Sequence, residues 1–267
     1  MKWAGGKRAL LPSLMRVVPS AIATYYEPFI GGGALFFALA AERRFRRAVI
    51  SDANEELILC YQALRDHVDD VIDALGAYRY DRDVYYEVRA IDPRGLAAPH
   101  RAARLIYLNR VGFNGLYRVN SAGLFNVPFG RHPATVVICD VDRLRAASAA
   151  LQGVDIFHQD FEETIGAAAK DDFVYFDPPY VPLSRTSNFT RYAQGDFDDA
   201  EQERLALALR GLGERGVCAA LSNSHCATTR ALYRGLPQKR ISVRRAINSV
   251  ATARGPVGEL LVRSFKF

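Results

Sequence analysis

Four consecutive apolar residues, Phe173-Val174-Tyr175-Phe176, run straight into Asp177-Pro178-Pro179-Tyr180. A strand whose successive side chains are all apolar has no polar face to give to water, so it reads as buried on both sides. Such burial requires helices on each face of a sheet, the α/β doubly wound arrangement. In open sheets of that kind the ligand crevice lies just past the carboxyl ends of the strands. Here that edge carries one carboxylate, two prolines that stiffen the backbone and remove N–H donors, and one aromatic ring. The set can accept hydrogen bonds from an amino group and stack a flat ring above it. A nucleobase with an exocyclic amine is its natural guest, and a structural turn with the same four residues is the ordinary alternative.

The rest of the chain fits the same architecture. Tyr25-Tyr26-Glu27-Pro28-Phe29-Ile30 reads as a strand, Gly31-Gly32-Gly33 as a turn and residues 34–40 as a helix. A second strand, Ala48-Val49-Ile50-Ser51, ends at Asp52. Leu57, Ile58, Tyr61, Leu64, Val68, Val71, Ile72 and Leu75 then recur at helical spacing, which predicts one helix. After short helices, including 101–111, a glycine- and asparagine-rich stretch at 112–130 suits a surface hairpin turning at Ser121-Ala122-Gly123. Strands at 155–159, 173–176 and 217–221 resume the rhythm, with a helix opened by Asp199 and Gln202 through 215. Two closing strands follow, at 241–243 and 260–267. The expected fold is α/β, a doubly wound Rossmann-like sheet with a helical insertion carrying a β-hairpin. Its expected parts are a core at 1–55 and 138–267 and an insertion at 56–137.

Composition narrows the partner. Between Pro93 and Cys139 there is no Asp or Glu, whereas Arg94, Arg101, Arg104, Arg110, Arg118 and Arg131 all fall there. With 29 acids in 267 residues, a stretch this long would ordinarily hold about five. A phosphate backbone is what such a segment is expected to meet, more so than the net charge of +6 alone implies. Cys60, Cys139, Cys218 and Cys226 lack C-x-x-C spacing and read as reduced core thiols of a cytoplasmic protein. None follows a proline, so the Pro-Cys nucleophile of cytosine-C5 methylation is missing. The five histidines form no metal-ligand cluster in sequence, and no metal is expected. No long apolar run or signal-like amino end points to a membrane.

Three further features bear on a ligand. Glycines after a strand and before a helix let the backbone approach a ligand closely, though a tight turn explains them as well. Asp52, 21 residues beyond Gly31, has the spacing of an acid that accepts from ribose hydroxyls; its ordinary alternative is a helix cap completed by Glu55. Phe36 and Phe37 fall where a third glycine of G-x-G-x-x-G is expected, which favours a nucleoside cofactor without pyrophosphate. Lys2-Trp3-Ala4-Gly5-Gly6-Lys7 places two lysines around a flexible turn able to face a carboxylate or phosphate, or else simply packs its indole on the domain. At Asp177 the chemistry is specific. An aromatic amine is a poor nucleophile because its lone pair is delocalised into the ring. A carboxylate and a backbone carbonyl accepting both N–H bonds expose that lone pair without a covalent intermediate.

These residues, in this order, resemble the DNA adenine-N6 methyltransferases of the Dam type. The likeness includes the 2–7 block, Glu27-Pro28-Phe29-Ile30-Gly31-Gly32-Gly33 and Asn109-Arg110-Val111-Gly112-Phe113-Asn114-Gly115-Leu116-Tyr117-Arg118. It continues through Phe125-Asn126-Val127-Pro128-Phe129-Gly130-Arg131, Asp177 to Ser184, and Asn188-Phe189-Thr190. The resemblance implies S-adenosylmethionine as cofactor, held by Trp3, Lys7, Phe29, Gly31, Gly33, Asp52, Asp160, Phe161 and Asp177, with Lys7 near the methionine carboxylate. It implies Asp177, Pro178 and Tyr180 as catalytic residues and the insertion as a target recognition domain for double-stranded DNA. There Phe113 falls where an aromatic wedges into the base stack, and Arg118 where a guanine edge is read. Asn114 lies in the same block. Leu116 and Pro128 match apolar contacts to a thymine methyl, Lys2 the reader of the first base, and Arg89, Asn120, Asn126 and Arg131 phosphate contacts. A GATC-like palindrome is the implied target and base flipping the implied route, in a cytoplasmic, nucleoid-associated enzyme with no obligate protein partner. Ala122 and Leu124 stand where charged residues are common, and 248–255 reads as a polar loop beside the site. Cytosine-N4 methylation poses the same problem to Asp177 and is the enzymatic rival; a non-catalytic DNA-binding relative is the other. RNA or protein amines suit this insertion poorly.

Overall fold

The computed structural model describes residues 3, 6–132, 136–181, 197–243 and 257–266. Its strands are β1 (Ile22–Glu27), β2 (Phe45–Asp52), β3 (Asp155–His158), β4 (Phe173–Phe176), β5 (Cys218–Ser224), β6 (Gln238–Val243) and β7 (Val257–Arg263). They form one seven-stranded sheet in the order β3-β2-β1-β4-β5-β7-β6. The β1–β2, β1–β4 and β4–β5 pairs are parallel, while β7 runs antiparallel to both β5 and β6. All four β4 residues are buried, as an apolar run with no polar face requires. Strand order reverses between β1 and β4, which pair through Tyr25↔Phe173 and Tyr26↔Val174. That is a topological switch point, the place where open α/β sheets hold ligands. The doubly wound, Rossmann-like α/β fold expected from the sequence is the one observed.

The helices are α1 (Leu11–Met15), α2 (Ala34–Ala41), α3 (Glu55–Asp66), α4 (Val68–Gly76), α5 (Arg82–Ala90), α6 (Ala98–Val111), α7 (Val141–Leu151), α8 (Phe161–Ile165), α9 (Asp199–Glu214) and α10 (Ala227–Leu232). The single helix expected over 57–75 is two. His67, at φ −140° and ψ 41°, leaves the helical region and separates α3 from α4. Asp69 and Asp70 then fall in the first turn of α4, where the positive end of a helix dipole favours acids. Likewise the expected hairpin has no regular strands among the described residues: 112–130 is held by the isolated bridges Gly112↔Phe129 and Val119↔Phe125. No described helix is long and apolar enough to cross a membrane.

Two compact units divide the chain. One comprises Met1–Gly6, Gly31–Gly33 and Ser51–His158; the other comprises Lys7–Ile30, Ala34–Ile50 and Gln159–Phe267. In the first, α6 packs on α3 and α4, burying Leu105, Tyr107 and Leu108 with Leu57, Tyr61 and Leu75. The second is built around Tyr26, Val174, Phe176, Leu205, Leu209, Leu221 and Val262, from β1, β4, α9, β5 and β7.

Candidate active site

Asp177 emerges from the end of β4 and meets a cation at once. Lys7 Nζ lies 2.8 Å from Asp177 Oδ1, and the Ser222 hydroxyl donates to the same oxygen at 3.2 Å. Burial raises the Asp177 pKa, since a carboxylate loses hydration there; the Lys7 charge and the two hydrogen bonds pull the other way, and Glu259 adds to the rise. Lys7 also lies 4.5 Å from the centre of the Tyr180 ring. The Tyr180 hydroxyl donates to Glu259 Oε2 of β7 at 2.9 Å, and burial keeps that phenol neutral. The turn itself is fastened from behind. Gln202 Nε2 of α9 donates to the Pro179 carbonyl at 2.8 Å, and the Val181 N–H donates to Asn223 Oδ1 at 3.1 Å. Asn223 Nδ2 in turn donates to Gln202 Oε1 at 3.0 Å, so the two clamps brace each other.

These clamps are not legible in the sequence. Gln202 is expected to help open α9, but the cap there is Asp198, which accepts from the Glu201 N–H at 3.0 Å. Buried Gln202 turns inward instead. Ser222, Asn223 and Ser224 form a polar run ending an apolar strand, the only local signal they gave. Glu259 gave none, because its neighbour Tyr180 is 79 residues away.

Other expected cofactor residues divide into two sets. In the larger unit, Phe29 stacks on Phe161 at 5.6 Å between centroids. Asp160 caps α8 and accepts from Arg204 Nη2 at 2.7 Å, with the Arg204 guanidinium 4.3 Å over the Phe161 ring. Phe161, the first residue of α8, is thus a core residue. In the smaller unit, Asp52 Oδ2 accepts from the Gly31 N–H and Oδ1 from the Asn54 N–H, each at 3.0 Å. The cap of α3 is Asn54, whose side chain accepts from the Leu57 N–H; Asp52 is therefore not the helix cap. Gly31 and Gly33 have φ of +45° and +64°, which side chains with a Cβ rarely adopt. A Cβ on Gly31 would also stand 3.0 Å from the Trp3 indole.

The residues expected to meet DNA are presented unevenly. Phe113 is 49% exposed, unusual for a large apolar ring, and Asn114 beside it is exposed with φ of 56°. Leu116 is half-buried and Pro128 exposed. Arg118 is exposed and donates from Nε to Asn126 Oδ1 at 2.6 Å and from Nη2 to the Asn126 carbonyl at 3.0 Å. Asn120 Oδ1 accepts from the N–H groups of Ala122 and Leu124, so this carboxamide builds the turn. Arg89 donates to the Val127 carbonyl at 3.2 Å and lies 4.7 Å over the Tyr86 ring. Arg131 is exposed. The acid-free stretch is therefore not one continuous basic face. Arg101 pairs with Glu56, and buried Arg104 donates to the Val88 and Arg89 carbonyls. Lys2, residues 182–190 and the loop at 248–255 lie outside the described residues.

A switch-point edge carrying a half-buried carboxylate, an anchored aromatic ring and a lysine can accept hydrogen bonds from an amine on a flat base. The comparisons agree with that class. The family model described as D12 class N6 adenine-specific DNA methyltransferase matches residues 3–248. The type II methyltransferase M1.LlaDCHI of Lactococcus lactis subsp. cremoris is 39% identical over 99% of this chain and 94% of its own length. The type II methyltransferase M.MjaIII of Methanocaldococcus jannaschii is 38% identical over 99% and 98%. The DNA adenine methylase of Escherichia coli strain K12 is 34% identical over 98% and 93%. The chain belongs to the D12 class of N6 adenine-specific DNA methyltransferases. It is an enzyme of DNA adenine methylation, and the cytosine-N4 and non-catalytic alternatives give way to that membership.

Proposed function

We propose that this enzyme moves a methyl group from S-adenosylmethionine to the N6 amine of an adenine flipped out of duplex DNA, within GATC. The observation that carries this reading is the pair of acceptors at the end of β4. Both described bonds to Asp177 fall on Oδ1, and Gln202 takes the carbonyl of Pro179 rather than that of Pro178. Asp177 Oδ2 and the Pro178 carbonyl are then the acceptors for the two N–H bonds of the amine, drawing its nitrogen toward sp³. Tyr180, pinned by Glu259, supplies the stacking face for a base out of its duplex.

The residues present fit the cofactor. A glycine turn with no room for a Cβ at Gly31, beside the carboxylate of Asp52, suits a nucleoside approached by backbone. Trp3, Lys7, Phe29, Gly33, Asp160 and Phe161 complete the proposed set. When bound, S-adenosylmethionine supplies the methyl group from a sulfonium. The segment 56–137 is the proposed recognition domain. Phe113 is the wedge. Arg118, held along its Nε–Nη2 edge by Asn126, keeps the Nη1 end of its fork for a guanine. Leu116 and Pro128 meet a thymine methyl, Lys2 reads the first base, and Asn114, Arg89, Asn120, Asn126 and Arg131 contact the strand. Duplex DNA as substrate places the enzyme on the nucleoid in the cytoplasm.

The test is to methylate duplex DNA, digest it and weigh the nucleosides, with modification-sensitive sequencing to report the site. N6-methyladenine in GATC is expected, and Asp177→Ala is expected to lose at least about 100-fold in rate while keeping duplex binding. N4-methylcytosine as sole product, or an undiminished Asp177→Ala rate, defeats the proposal.

A further inference from the structure

We infer that Tyr117 is a positioning residue that couples cofactor binding to base readout. Five residues of the smaller unit form a chain of contacts, from Asn54 through Asp52, Gly31 and Trp3 to Tyr117. Asp52 joins Gly31 to Asn54 through its two carboxylate oxygens, as above. Asn54, which caps α3 through Oδ1, lines the same cavity as Tyr117. The Tyr117 ring stacks on Trp3 at 5.4 Å between centroids and 25° between planes. Trp3 in turn closes on Gly31, where it occupies the space a Cβ would need. Tyr61 fixes the far side of the turn by donating to the Gly31 carbonyl at 2.9 Å.

The position of Tyr117 in sequence gives these contacts their consequence. It lies between Leu116 and Arg118, the residues proposed to read the thymine methyl and the guanine. Farther along, Val119, Ala122 and Leu124 line a cavity of about 350 Å³ whose other wall includes Asn54, Glu56 and Arg101. Tyr117 lines the same cavity, and its stack on Trp3 is what ties this loop to the Gly31 turn. A ligand that orders Gly31, Asp52 and Trp3 therefore orders Tyr117, and through the backbone the two readers beside it. Linkage makes the effect reciprocal: a duplex that fixes Leu116 and Arg118 tightens the cofactor by the same factor. The inference rests on the cofactor and DNA assignments proposed above.

Trp3 is the sole tryptophan, so its fluorescence reports this stack directly. The experiment uses the full chain, S-adenosylhomocysteine as the unreactive probe and a short duplex carrying the methylated site. Duplex affinity is measured with and without the probe, and Trp3 emission is followed on adding duplex alone. The wild type is expected to show a coupling of about 5-fold or more, with a change in Trp3 emission on duplex binding. Tyr117→Leu is expected to bring the coupling toward one, and Tyr117→Phe, which keeps the ring, to recover most of it. A general loss of stability would weaken both binary affinities without altering their coupling. Equal coupling in wild type and Tyr117→Leu, or a wild type with none, overturns the inference. Should Tyr117→Leu fail to fold, Tyr117→Phe and the wild-type emission change decide it. If wild type neither binds the probe nor methylates DNA, it is the proposed function that has failed.

Discussion

Asp177 is held between two opposing influences, and its neighbours set the balance. Burial favours the neutral acid, so this carboxyl keeps its proton to higher pH than an exposed aspartate; Lys7 opposes that. The proposed acceptor role needs the carboxylate, so activity is expected to be lost as pH falls through this raised value. Lys7→Met removes the largest opposing influence. The acid limb of kcat/KM for the duplex, measured at saturating cofactor, is expected to move to higher pH. An unmoved limb would show that Lys7 does not tune Asp177. At this scale the sequence placed Asp177, Tyr180, Lys7 and Asp52 at strand ends or chain turns, because their chemistry is local to short motifs. It could not find Glu259, Gln202 or Ser222, whose significance depends on strands and a helix that only folding brings alongside.

At the scale of elements, the proposed recognition loop depends on backbone meeting backbone. The Phe113 N–H donates to the Pro128 carbonyl, the Gly130 N–H to the Val111 carbonyl, and buried Tyr85 donates to the Val127 carbonyl at 3.0 Å. A Cβ on Gly112 would stand 2.5 Å from the Leu108 carbonyl oxygen and 2.9 Å from the Tyr85 hydroxyl. The Gly112 backbone itself is ordinary, at φ −66° and ψ 159°, so the conflict is one of space rather than strain. Gly112→Ala is expected to destabilise the enzyme by about 1–3 kcal/mol, read as a lowered thermal midpoint. Because Phe113 is the next residue, duplex affinity should fall as well; an unchanged midpoint would mean the two segments part at little cost. Periodicity located α3 and α4 but not the break at His67, since apolar spacing continues across it. Turn residues suggest a hairpin at 112–130, but its pairing consists of isolated bridges rather than strands.

Across the whole molecule, charge is divided between holding the fold and meeting a polyanion. Arg104 is buried and occupied with carbonyls at the end of α5, whereas Arg131 is exposed. Arg131→Gln is expected to lower the slope of log affinity against log salt by about 0.9, the share of one phosphate contact. Arg104→Met should leave that slope alone and cost about 1–3 kcal/mol in stability, by removing its hydrogen bonds to the Val88 and Arg89 carbonyls. Titrating duplex binding across salt, beside thermal melts of both variants, separates the two roles. Equal slopes for wild type and Arg131→Gln would remove Arg131 from the DNA contacts.

By itself the sequence determined the sheet, the glycine turn, the acid-and-aromatic edge after β4 and the family, because each is written in contiguous residues whose period and chemistry act locally. Tertiary structure alone decided which of the arginines are left exposed, which polar side chains brace the edge, and that Tyr117 stacks on Trp3 beside Gly31. Those depend on distances between segments far apart in the chain. Burial and hydrogen-bond geometry select such partners only once the core has formed.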